Sequence, residues 1–135
     1  MSEAKLDEVA TLAAKLTDEL LSESRLALDA ELYEVAYHAL AAALHGAEAA
    51  KDDGRVREIQ AEATRQQNAV DARSPNHRLS RNAGRERAHG GWFDALAIQA
   101  TSVLSRHHAT EALERSISHK LQERARKRDE VPPTR

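Results

Sequence analysis

The sequence contains no cysteine, which excludes a disulfide framework, a thiolate zinc site and a cysteine nucleophile. It also has no long apolar run. Its most apolar stretch, Ala39 to Leu44, is bounded by His38 and His45 and falls far short of the roughly twenty residues of a membrane span. Large apolar side chains are scarce: Leu, Ile, Val and Phe together make 25 of 135 residues. With a high net charge that scarcity would point to disorder. The net charge is only -2, however, and the apolar residues recur at helical spacing. There is no β-type alternation, no internal repeat and no low-complexity tract. There is no G-x-S-x-G elbow, no strand to mount one, and no phosphate-cradling P-loop. The opening residues Met1–Glu8 are acidic and amphipathic, unlike a signal peptide. These absences predict a cytoplasmic, non-enzymatic protein.

What the chain has in abundance is alanine. Alanine has the highest helix propensity, but it buries little area at about 25 cal/mol per Å². Helices should therefore form readily around a thin core, and a homo-oligomer is expected to supply the missing burial. The length suits a single helical domain, 1–128, with a frayed basic tail at 129–135. Charge is unevenly divided. Residues 1–72 hold 7 Lys/Arg against 15 Asp/Glu, and residues 73–135 hold 13 against 7. Such a polar chain can neutralise itself internally, pair head to tail with a copy, or offer its basic half to an anion.

Hydrophobic periodicity predicts an all-α, antiparallel bundle of about four helices. Leu6, Val9, Ala13, Leu16 and Leu20, with Leu12 beside them, form the buried seam of a first helix ending near Leu21. Ser22–Arg25 reads as a connection, with either serine able to cap a second helix from Leu26 to Ala50. Lys51 suits that helix's negative end, and Asp52-Asp53-Gly54 reads as a turn. A third helix, Arg55 to Arg73, carries the seam Val56, Ile59, Ala63, Gln66 and Val70. The glutamine there is of the kind that fixes register. Ser74-Pro75 ends it. A long irregular basic connection, Asn76 to Gly91, precedes a fourth helix opened by Trp92-Phe93. Leu96, Ala100, Val103 and Leu104 face inward, and Leu113, Ile117 and Leu121 continue nearly the same phase. That helix runs to about Lys127 or breaks at His107-His108.

The second helix sorts into three stripes. Tyr33, Tyr37, Leu40 and Leu44 are large and apolar. Leu32, Ala36, Ala39, Ala43 and Ala47 are mostly small and permit close approach of a neighbour. Glu34, His38, Ala41, His45 and Glu48 place two carboxylates and two imidazoles on one face, the ligand types a transition-metal site in a bundle needs. In part the stripe resembles ferritin-like di-iron proteins, whose pattern wants a Glu from each of two helices and Glu-x-x-His from two others. Here Glu34 and His38 are four apart, and the Glu-x-x-His is Glu86-Arg87-Ala88-His89, in the basic connection.

Two further groupings carry chemistry. His77, Arg78, Arg81, Arg85, Arg87 and His89, followed by Trp92, combine guanidinium forks with an aromatic ring. That combination suits an anion, an acidic partner surface or, least of all, nucleic acid. His107, His108, Glu111, Arg115 and His119 share the fourth helix, where a cation among imidazoles favours plain surface over metal. The leading expectation is a helical bundle acting through self-association and protein–protein binding. The alternatives are a metal-binding bundle using the second-helix ligands and an anion binder using the arginines.

Overall fold

The computed structural model describes residues 2–83 and 90–130. They form four helices and no strand: α1 (Glu3–Asp29), α2 (Tyr33–Ala49), α3 (Asp53–Arg73) and α4 (Trp92–Glu130). The all-α antiparallel architecture with a loop between the third and fourth helices is as the periodicity predicts. Packing is pairwise and sequential. α1 lies on α2 and α2 on α3, while Gln60 to Thr101 and Gln67 to Phe93 join α3 to the start of α4. The chain divides into two compact units within α4, residues 1–104 and 105–135. α4 is one helix through His107-His108 and continues through Asp129 and Glu130, the first two residues of the expected tail. Residues 131–135 lie outside the described residues.

The break between the first two helices falls eight residues later than the polar run Ser22–Arg25 suggests. Ser24 is not a cap. It is buried, and its Oγ donates to the Ala36 carbonyl across the helix pair at 2.7 Å. Leu28 behind it is fully buried, so α1 must continue to place it. The chain turns where Glu31 adopts φ 60°. The Glu31 N–H returns to the Leu28 carbonyl and the Leu32 N–H to Ala27, both at 2.9 Å, which closes a Schellman motif. α2 ends the same way. Lys51, at φ 53°, donates to the Glu48 carbonyl, and the Asp52 N–H returns to Ala47. Asp52 then caps α3 by accepting from the Arg55 N–H. Gly54, expected in the turn, lies inside α3.

α2 has two packing faces, as its stripes predict. Tyr33, Leu40 and Leu44 are buried, as are Ala36, Ala43 and Ala47. Leu32, assigned to the small stripe, is exposed. Gly46 faces Thr17 of α1 so closely that a Cβ there would collide with the Thr17 Oγ1. Since α1 and α2 are antiparallel and α2 has only 17 residues against 27, Thr17 lies near the far end of the contact. The first part of the expected α1 seam is consequently not core: Leu6, Val9, Leu12 and Leu16 are 44–55% exposed, while Leu20 at its end packs against the core. Thr17, Leu21, Ser24, Ala27 and Leu28 are buried instead.

The α3 seam is buried at Val56, Ile59, Ala63, Gln66 and Val70. Gln67 beside it fixes the entry of α4. Its Oε1 accepts from the Phe93 and Asp94 N–H groups at 3.0 and 3.3 Å, and its Nε2 donates to the Leu79 carbonyl at 3.0 Å. The first N–H groups of a helix have no partner in the helix itself, so this amide does the work of a cap from a neighbouring element. Gly91 is required beside it, because a Cβ there would overlap the Gln67 amide.

Replacing Lys51 by Gly relieves a left-handed non-glycine residue and should raise stability by about 0.5–1 kcal/mol in urea melts. Gln67→Ala should cost about 2–4 kcal/mol by leaving buried partners unsatisfied. Gly91→Ala should be far less damaging in that background than in the parent chain, a coupling a double-mutant cycle measures.

Candidate interaction surfaces

The second-helix ligand stripe faces outward. Glu34, His38 and His45 are exposed and Glu48 is intermediate. Glu34 is occupied by Arg78, whose Nε and Nη2 donate to its two oxygens at 2.8 and 2.7 Å. The Arg78 hydrogen bond holds the Glu34 carboxyl below the usual carboxylate range. His38 stands edge-on to Tyr37 with ring centroids 5.3 Å apart. Among the described residues, no three His, Asp or Glu side chains are grouped to hold a metal ion. Glu86 and His89 lie outside the described residues.

The arginine segment is tied down by its own chain where it is described. Arg81 donates from Nε and Nη2 to both oxygens of Asp94, at 2.8 and 2.9 Å. Its Nη1 reaches Asp71 at 3.1 Å and Asn68 at 2.9 Å. Arg78, besides its pair with Glu34, lies over the Trp92 ring at 5.1 Å from the centroid. Trp92 is half-buried and edge-on to Tyr37 at 5.3 Å. His77 packs edge-on to Tyr33 at 5.0 Å, and its Nδ1 accepts from the Leu79 N–H. Leu79 is fully buried and anchors the whole turn. The segment therefore couples the basic stretch to the acidic first half, through Glu34 and Asp71, within one chain. Arg85, Arg87 and His89, the rest of the predicted anion set, lie outside the described residues.

A third polar cluster, unsuspected from spacing, joins α1 to α3. Glu62 is 5% exposed. It accepts from Arg65 Nε at 2.9 Å and Gln66 Nε2 at 3.2 Å, with Arg25 Nε 3.4 Å away. Gln66 also donates to Ser24 Oγ at 2.9 Å. Burial pushes the Glu62 carboxyl up. The hydrogen bonds from Arg65 and Gln66 and the charges of Arg65 and Arg25 outweigh that and hold it below its usual value. Glu58 is also lowered, first by its hydrogen bond with Arg55. Among the described residues, no buried side-chain nitrogen or oxygen lacks a partner.

Two apolar stripes are also exposed among the described residues. On α1 the stripe Leu6, Val9, Leu12 and Leu16 faces solvent. On α4 every residue from His108 to Glu130 is exposed, and Leu113, Ile117 and Leu121 stand out at 49–61%. Helical periodicity predicts core for both stripes. The signal that corrects the first is the mismatch in length between α1 and the α2 that covers it. Among the described residues, the surface concavities along Glu111–Gln122 and Leu121–Arg128 are each lined by α4, as gaps between side chains of one helix. In comparisons with known proteins, the chain matches no family model, and no curated protein or solved structure is similar to it at a significant level.

The Glu62 cluster has a pH signature. A carboxyl lowered in the folded state adds stability above its unfolded value, near pH 4.5, and loses it as pH falls through the folded value. Glu62→Gln should flatten the fall of the urea midpoint on the acid side, and at neutral pH cost about 1–3 kcal/mol. An acid limb as steep as the parent's would contradict this.

Proposed function

We propose that the protein is a non-enzymatic helical module that works by association, with copies of itself and with other proteins. The observation that carries this is the pair of uncovered apolar stripes, Leu6/Val9/Leu12/Leu16 and Leu113/Ile117/Leu121. Helices in proteins draw most of their stability from packing an apolar face. The segment from His108 to Glu130 has such a face and buries none of it. Single exposed leucines need no explanation, whereas contiguous apolar stripes mark interaction surfaces.

The ionised groups point the same way. Glu34, Glu58 and Glu62 are all lowered by arginine partners. That is the mark of structural ion pairs, and the opposite of the raised carboxyl a general acid needs. Arg78 and Arg81, which an anion-binding reading requires, are engaged by carboxylates of the same chain.

Light scattering across a concentration series tests the reading. At low salt the mass should exceed the 14.9 kDa of a single chain and rise with concentration. It should fall toward that value as ionic strength increases, because charges flanking the stripes are screened. A constant single-chain mass at every concentration and at low salt would overturn it.

A further inference from the structure

The two uncovered stripes differ in the charge that surrounds them, and this selects a partner. Between Glu3 and Glu19, α1 carries five carboxylates and two lysines. Between Leu113 and Arg128, α4 carries six cations and two carboxylates. Each stripe is thus apolar along its centre and charged along its flanks, with opposite signs. Both stand exposed.

The two stripes can be laid antiparallel with their apolar residues within one or two positions of each other, except that Leu16 comes level with Glu111. With Leu6 level with Leu121, Val9 falls near Ile117 and Leu12–Ala13 near Leu113. In that register Glu3 comes level with Arg124, and Asp7 with Lys120. The acidic first turns of α1 then run beside the basic last turns of α4, where opposite charges favour pairing across helices. Building on the association reading, we propose that the apolar face of the first half of α1 in one copy pairs antiparallel with residues 113–128 of α4 in a second copy. The occupant of each stripe is the other stripe, on another molecule of this chain. The contact joins unlike surfaces, so neither α1 with α1 nor α4 with α4 forms it.

The absence of cysteine makes the test direct. Leu6 and Leu121 are exposed, so the double variant Leu6→Cys/Leu121→Cys should fold as the parent does, with circular dichroism as the check. Isotopically labelled and unlabelled copies are mixed, oxidised mildly and digested. The expected product is a disulfide joining position 6 of a labelled chain to position 121 of an unlabelled one, and the reverse. Alongside, Leu6→Asp and Leu121→Asp, each measured alone, should weaken self-association by about tenfold or more, since each places a charge in the contact. If the parent chain is a single-chain species throughout, both this pairing and the association reading fall. If the parent associates but links form only 6 to 6, 121 to 121 or within one chain, association stands and this pairing is wrong. An associating parent whose dissociation constant neither aspartate variant changes overturns the pairing in the same way.

Discussion

The structure depends on how closely α1 and α2 approach, and that is set by side chains too small to hold them apart. Ala36, Ala43 and Ala47 are fully buried, and Gly46 lies directly against Thr17. Close approach gathers many short van der Waals contacts between backbones, but alanine removes little apolar area from water. The burden of burial therefore falls on a few large groups, chiefly Leu28, Leu40, Leu44, Ile59, Leu79, Leu96 and Phe93. A core of this kind cannot extend beyond the helix that supplies its small face. α2 is the shortest of the four helices, so the reach of α2 decides how much of α1 is covered.

A smooth alanine interface has a second consequence, because it offers little resistance to sliding by a turn. Register has to come from groups that are satisfied in one alignment only. Ser24 supplies this between α1 and α2 by donating to the Ala36 carbonyl, and between α1 and α3 by accepting from Gln66. A one-turn slip would take the buried Ser24 hydroxyl away from both of these partners, a penalty at least as large as the net gain of one hydrogen bond. Glu62 with Arg25 and Arg65 repeats the device at the rim, where solvent weakens each ion pair. Gln67 does the same for α3, the turn at Leu79 and the start of α4, with one amide bonding to both. The sparse core thus supplies cohesion, and the buried amides and hydroxyl supply alignment.

The fold class was legible because 3.6-residue periodicity survives even when most of the apolar positions are alanine. The α3 seam and the two faces of α2 were readable residue by residue for the same reason. The α1–α2 boundary was not. Ser22-Glu23-Ser24-Arg25 has the composition of a loop, yet Ser24 points inward to a carbonyl while its neighbours face water. The actual turn uses Glu31 in a left-handed conformation that glycine normally marks. The next boundary was readable to within two residues, from Lys51 and the Asp52-Asp53-Gly54 run, although Lys51 takes the left-handed position there in place of a glycine. Of the candidate site, the type of residue was readable but not its engagement. Spacing placed Glu34 among histidines, and only the fold brings Arg78 onto it from 44 residues away. Periodicity likewise identifies an apolar stripe without saying whether anything in the chain is long enough to cover it.

The division of charge along the sequence acquires a physical meaning from this layout. Part of it is neutralised locally, by Arg78 on Glu34, Arg81 on Asp71 and Asp94, and Arg55 on Asp18. Beside the two exposed apolar stripes the balance differs in sign: five carboxylates and two lysines between Glu3 and Glu19 of α1, and six cations and two carboxylates between Leu113 and Arg128 of α4. An apolar stripe alone is indiscriminate, since any other stripe will cover it. Flanking charge of one sign makes like stripes repel and unlike stripes attract, so in the pairing proposed above the charges would narrow what each stripe accepts. The strength of such a contact lies in the leucines, and its selectivity and salt sensitivity lie in the charges around them.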